Sequence, residues 1–298
     1  MSFFFIFNRS IDYTRIKMKI GKYNIKIITS GYFKLDGGAM FGIIPKPLWQ
    51  KTNPADEANR IKLSTRHLLL ESESRKILID AGMGNKWDEK SKGIYAIDEK
   101  YSMENALIKI GLRHEDITDV ILTHLHFDHT GGSIKMLDGK LIPAFPNAKY
   151  HVQKQNFDWA SNPSDRDKGS YLKENFLPLA EEGVLNFTNG NEKFDDWIEF
   201  IVINGHTFGQ QMVKISDSSN TILFCGDLLP FTSHIRLPYI MGYDLQPLVT
   251  LKEKKKILPQ AADENWKIFL EHDPETAFIT LQKTDKGVTE MERFTSFD

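Results

Sequence analysis

Four side chains able to hold a transition metal fall within six consecutive positions, in the run His124-Leu125-His126-Phe127-Asp128-His129. The residues before it, Val120-Ile121-Leu122-Thr123, form a short apolar, strand-like stretch. Strand alternation sends His124 and His126 to one side and Leu125 to the other, which is how a strand end begins a metal site. Asp128 and His129 follow as the chain turns at Thr130-Gly131-Gly132, where glycine lets backbone approach an ion. Imidazole plus carboxylate suits zinc or a neighbouring divalent transition metal. Hydrogen-bonded core or surface histidines would be the plainer explanation for any one of these residues, but not for the complete H-x-H-x-D-H array. His67, His114 and His151 stand in no such context and read as ordinary histidines.

The elements that must carry these residues alternate along the chain. Strand-like runs occur at 25–29, 66–71, 76–80, 120–123, 198–203, 212–215, 222–225, 268–271 and 277–281, and helical spacing at 103–112, 171–182 and 246–258. That alternation predicts an α/β fold with two mixed sheets packed face to face and helices outside, a four-layer αββα sandwich. No flexible linker, repeat or low-complexity tract interrupts it, so residues 19–298 are expected to form one domain, preceded by an extension over residues 1–18. Two irregular stretches, 30–49 and 230–245, place apolar residues among turn formers, as loops that cap a core or line a pocket do.

Bulk properties narrow the classes. With 38 basic and 40 acidic side chains in 298 residues, the formal charge of −2 offers no long-range pull on nucleic acid or an anionic membrane. The apolar run near the start is too short for a signal peptide or membrane span. The single cysteine, Cys225, lies in a strand-like apolar run and is expected to be buried as a small hydrophobe. A cytoplasmic location fits these features.

The His124-to-His129 run resembles the signature of the metallo-β-lactamase superfamily, and the rest of that pattern is matched in order. Ile203-Asn204-Gly205-His206-Thr207 resembles its third-histidine context, Leu223-Phe224-Cys225-Gly226-Asp227 its bridging aspartate, and Phe269-Leu270-Glu271-His272-Asp273 its last histidine. The resemblance covers roughly residues 25 to 275. It implies two Zn²⁺ ions, the first on His124, His126 and His206, the second on Asp128, His129 and His272, with Asp227 bridging. Asp80 resembles the family's strand-end aspartate and is expected to orient a ligand.

Such a centre implies a hydrolase in which a water activated between two cations attacks a carbonyl or phosphoryl group. Asp128 is then the expected proton carrier to the leaving oxygen. Further stretches, Ser30-Gly31-Tyr32-Phe33 and Gly226-Asp227-Leu228-Leu229-Pro230 among them, resemble the quorum-quenching N-acyl-homoserine lactonases, the AidC-like group in particular. This implies opening of a small-molecule lactone or ester by a homodimer, with Met40, Phe41, Ile43, Phe231, Ile235 and Leu237 expected to line the substrate pocket. Better-known lactonases carry a tyrosine three residues after the bridging aspartate, where this chain has Pro230, so Tyr239 or His234 is expected to supply that donor. The alternatives are an organophosphate or aryl-ester hydrolase of the same fold and a non-catalytic metal-binding sensor.

Overall fold

The computed structural model describes residues 18–296, so the expected N-terminal extension lies, apart from Met18, outside the described residues. In chain order the first strands are β1 (Met18–Ile20), β2 (Tyr23–Asp36), β3 (Arg60–Glu71), β4 (Lys76–Ile79) and β5 (Asp119–Ile121). A separate hairpin follows, β6 (Ile134–Leu137) and β7 (Lys140–Pro143), and then β8 (Lys149–Gln153) and β9 (Leu185–Thr188) complete a seven-stranded sheet in the order β1-β2-β3-β4-β5-β8-β9. The second sheet has β10 (Ile198–Ile203), β11 (Gln210–Ser216), β12 (Thr221–Phe224), β13 (Lys267–Phe269), β14 (Phe278–Thr284) and β15 (Gly287–Phe294) in sequential order.

Residue alternation explains why the two sheets pack. On β3, β4 and β5, Leu68, Leu70, Ile77, Ile79 and Ile121 point inward and meet Phe200, Val213, Ile215, Ile222 and Phe224 from the second sheet in one buried core. Their neighbours Leu69, Leu78 and Val120 face outward, where they are covered by α1 (Met103–Lys109), α2 (Lys154–Ser161) and α3 (Leu177–Glu181) through Leu107, Ala160 and Leu179. Across the molecule, Met212, Leu223 and Ile268 face outward against Ile257, Leu258 and Ala261 of α4 (Pro247–Asp263). Strands with both faces apolar and helices with one apolar stripe have this four-layer arrangement as their way of leaving water. Among the described residues no helix is long and apolar enough to cross a membrane.

Local departures from the expected elements have physical causes. Strand β2 runs on to Asp36, into the stretch expected to be irregular, by pairing with β3 across a bulge between Thr29 and Gly31. The expected helix over 171–182 resolves into a single 3₁₀ turn, Lys173–Asn175, and the five-residue α3. Pro178 disfavours a helical conformation at Leu177 before it and lacks an N–H, so a continuous helix through this point is broken.

Candidate metal centre

Every ligand expected from the sequence sits just past the carboxyl end of a strand on one rim of the sandwich. His124 to His129 follow β5, His206 follows β10, Asp227 follows β12 and His272 follows β13. Asp80 follows β4, which lies parallel to β5. Two of the parallel pairs, β4 with β5 and β12 with β13, therefore deliver their loops to the same edge.

The seven side chains converge into two groups, His124, His126, His206 and Asp227 in one, and Asp128, His129 and His272 in the other. All seven are buried. Asp227 lies between the groups: its Oδ2 is 3.1 Å from His206 Nε2 and 3.9 Å from His124 Nε2, and its Oδ1 is 3.1 Å from His272 Nε2 and 3.6 Å from His129 Nε2. Asp128 contributes Oδ2 at 3.7 Å from His272 Nε2. Donor atoms around one ion with bonds of roughly 2.0 to 2.2 Å stand about 3 to 4 Å apart, so these separations are edges of a coordination shell.

The imidazoles are held with their lone pairs inward. Asp80 accepts from Thr123 N at 2.7 Å, from Thr123 Oγ1 at 2.7 Å and from His129 Nδ1 at 3.0 Å. Because Thr123 Oγ1 spends its proton on Asp80, it accepts from His124 Nδ1 at 3.0 Å. His206 Nδ1 donates to Asp244 at 2.8 Å, and His272 Nδ1 donates to the Ser64 carbonyl at 2.9 Å. In each case the outward N–H is committed, which fixes the tautomer and turns Nε2 toward the centre. His126 turns Nδ1 inward, 3.0 Å from both His124 Nε2 and His206 Nε2.

Lone pairs of neighbouring imidazoles at such distances repel unless a proton or a cation sits between them, and Asp227 Oδ1 is buried without a hydrogen-bond donor. A divalent cation in each group satisfies both conditions, so the donor set fits metal. The electrostatics agree. Burial, reinforced by the neighbouring imidazoles, pushes His124 and His126 well below the usual histidine range. Burial also opposes charge on His206 and His272, but Asp227 outweighs it and raises them to about 10 and about 9. The same imidazoles hold the Asp227 carboxyl well below its usual range against the cost of burial.

Close backbone packing sets the turn after the signature. A Cβ on Gly131 would lie 2.1 Å from the Met83 carbonyl oxygen, so this position accepts no side chain.

A cavity of about 270 Å³ opens on both groups, touching His126, Asp128, His206, Asp227 and His272. Of the residues expected to line it, Met40 does. The others do not. Ile43 is 89% exposed, while Phe41 and Phe231 are fully buried in the aromatic layer beneath the cavity. Leu237 packs on the outer core beside α4, and Ile235 and Tyr239 line a different cavity near β15. His234 donates from Nε2 to the Met40 carbonyl at 2.9 Å and stacks on Phe41, and burial pushes it down to about 3, so it is a neutral structural group. Apolar loop residues look alike in sequence whether they face a cavity or the core below it.

The cavity walls that sequence reasoning missed include Leu35 and Leu63 on β2 and β3 and residues from four further segments: Tyr95, Phe127, Arg166, and Met241 with Tyr243. Phe127 had a signal, since it lies inside the ligand run between His126 and Asp128. Asp244, which anchors His206, had none.

Comparison with known proteins agrees with this geometry. The sequence matches the metallo-beta-lactamase superfamily over residues 67–272. It is 26% identical over 221 residues to an N-acyl homoserine lactonase of a Bacillus species, spanning 70% of this chain and 80% of that protein. The structure superposes on a probable metal-dependent hydrolase from Staphylococcus aureus with a TM-score of 0.85 and 29% identity, covering 93% of this chain and 98% of that one. AidC, a dizinc quorum-quenching lactonase solved with a product, gives a TM-score of 0.77 at 23% identity over 94% of this chain and 98% of its own, a likeness of fold. The chain belongs to the metallo-beta-lactamase superfamily.

Proposed function

We propose that this member of the metallo-beta-lactamase superfamily is a metal-dependent hydrolase that opens the lactone ring of N-acyl-homoserine lactones. The observation that carries the reading is the cavity. Its floor is the paired ligand groups, its walls are Leu35, Met40, Leu63, Phe127 and Met241 with two tyrosines, and among the described residues Arg166 is the arginine or lysine that lines it. A small neutral ester with an apolar acyl group matches such a surface, with its carbonyl on the polar floor. The relatedness to curated lactonases supports the same substrate class.

In this reading His124, His126 and His206 would hold one cation and Asp128, His129 and His272 a second, with Asp227 between the two groups. When bound, such a pair supplies Lewis acidity toward the ester carbonyl and a water activated at neutral pH. The apolar walls exclude bulk water and orient the acyl group. Asp128, buried but lining the cavity, carries a proton to the alkoxide oxygen released as the ring C–O bond breaks.

The test is a ring-opening panel of N-acyl-homoserine lactones run beside an activated phosphotriester and an aryl ester. Turnover of lactones should exceed that of the phosphotriester by about 100-fold, an advantage of nearly 3 kcal/mol in the barrier. It should vanish with chelator and return with zinc. Preference for the phosphotriester, or activity that survives full metal removal, overturns the reading.

A further inference from the structure

Tyr243 combines a clamped backbone with an uncommitted side chain. Gly242 before it donates from N to the Ala39 carbonyl at 2.7 Å and accepts from the Arg166 guanidinium at 2.6 Å. Asp244 after it donates from N to the Met241 carbonyl at 3.2 Å and accepts from His206 at 2.8 Å, and Leu245 N reaches the His206 carbonyl at 3.1 Å. Both peptide neighbours of Tyr243 are thus tied, one across the cavity mouth and the other to a proposed metal ligand. The Tyr243 ring packs against the aromatic layer, and the residue lines the cavity with Asp128, His206 and Asp227, yet its hydroxyl has no hydrogen-bond partner among the described residues. The phenol is thus held in place while its O–H, on the cavity wall, is free to donate to a molecule bound there.

We infer that Tyr243 is a catalytic residue of the proposed hydrolase, donating its phenol O–H to the carbonyl oxygen of the ester as negative charge develops there. The inference rests on the hydrolase reading but not on the lactone being the substrate. Burial first, then Asp36 and Asp128, push the phenol up, so it keeps its proton at neutral and alkaline pH and remains a donor. Tyr95 also lines the cavity with its hydroxyl unbonded among the described residues, but its ring is held between Trp87 and Phe127 at 5.3 and 5.0 Å, whereas the backbone beside Tyr243 is tied to His206 through Asp244 and Leu245. Tyr239, the donor expected from the sequence, faces the other cavity, with its hydroxyl 3.4 Å from the Arg236 guanidinium.

The experiment compares Tyr243→Phe and Tyr239→Phe in the zinc-loaded protein, using N-hexanoyl-homoserine lactone and p-nitrophenyl acetate. Losing a donor to a developing oxyanion lowers kcat by about 100-fold or more, so Tyr243→Phe should show that loss with KM changed less than about threefold. Tyr239→Phe should keep wild-type turnover. Calorimetry with the non-hydrolysable N-hexanoyl-homoserine lactam should show roughly tenfold weaker binding to Tyr243→Phe, the worth of one hydrogen bond. Zinc content should be equal in all three proteins. Turnover of Tyr243→Phe within about threefold of wild type, or the same loss in Tyr239→Phe, overturns the inference. Loss of zinc from Tyr243→Phe also overturns it, because the phenol would then be serving the His206 loop. A wild-type protein that cleaves the aryl ester and not the lactone rejects the substrate proposal alone, and the Tyr243 comparison is then read on the aryl ester.

Discussion

Zinc uptake by the stripped protein should depend steeply on pH, because His129, His206 and His272 are all shifted above the ordinary histidine range and hold protons that the cation must displace. Burial disfavours charge on His206 and His272, yet the Asp227 carboxylate 3.1 Å from each Nε2 raises them to about 10 and about 9. At pH 6 to 8 both imidazoles are therefore protonated in the metal-free protein, and a ligand nitrogen has to be bare. Each displaced proton makes affinity rise about tenfold per pH unit, worth about 1.4 kcal/mol. The His206 and His272 protons alone, over two pH units, give roughly a 10⁴-fold gain, a little over 5 kcal/mol, and His129 adds to it. Competition against a chelator of known affinity at pH 6, 7 and 8 measures the slope, and calorimetry in buffers of unequal ionisation enthalpy counts the protons. A slope of log affinity on pH below about one, or release of less than about one proton, would refute the reasoning.

The same shifts fix a sign for stability. Both folded-state values lie above the ordinary histidine value of 6.5, so the attraction to Asp227 stabilises the stripped protein fully below pH 6.5. That contribution is lost as pH rises through about 9 and about 10. Thermal melts should accordingly show the gap between zinc-loaded and stripped protein widening across this window.

Asp80→Ala should leave Thr123 N and Thr123 Oγ1 without their acceptor, and His129 Nδ1 with only the Glu271 carboxylate, 3.1 Å away. At about 1 to 3 kcal/mol for each buried donor, chemical denaturation should report a loss of roughly 3 kcal/mol or more, together with weaker zinc binding. Lys254→Met should release the 236–239 loop, because the buried ammonium holds the carbonyls of Arg236, Leu237 and Tyr239 at 2.8, 3.4 and 2.9 Å. Relief from burying the charge offsets part of this, so about 2 kcal/mol of stability should go, with a larger proportional loss of turnover; unchanged activity would show that the loop is held by other contacts.

The sequence displayed the ligand set because chemistry crowds ligands into a short run and places the distant ones directly after strands. His206, Asp227 and His272 each follow closely on an unbroken apolar run of three or four residues, and such runs are legible in the sequence as buried strands. The substrate surface was not legible in this way. Ile43 and Met40 are three residues apart, Met40 in the short helix Gly37–Phe41 and Ile43 just past its end, and Ile43 is almost wholly in water while Met40 faces the cavity. That difference depends on the turn at Gly42, whose φ of 56° reverses the chain, and hydrophobicity carries no record of it. Tyr243 and Arg166 were hidden for a related reason. Their positions are set by hydrogen bonds among segments far apart in sequence, Arg166 to Gly242, Gly242 to Ala39 and Asp244 to His206, which follow no period.

Each proposed cation would draw on both sheets, since His124 to His129 hang from the first and His206, Asp227 and His272 from the second. The ions would then act as rivets between two plates. A small slide of one plate over the other would stretch every bond across the seam at once, and core substitutions that alter their spacing should register as altered metal retention before they register as unfolding.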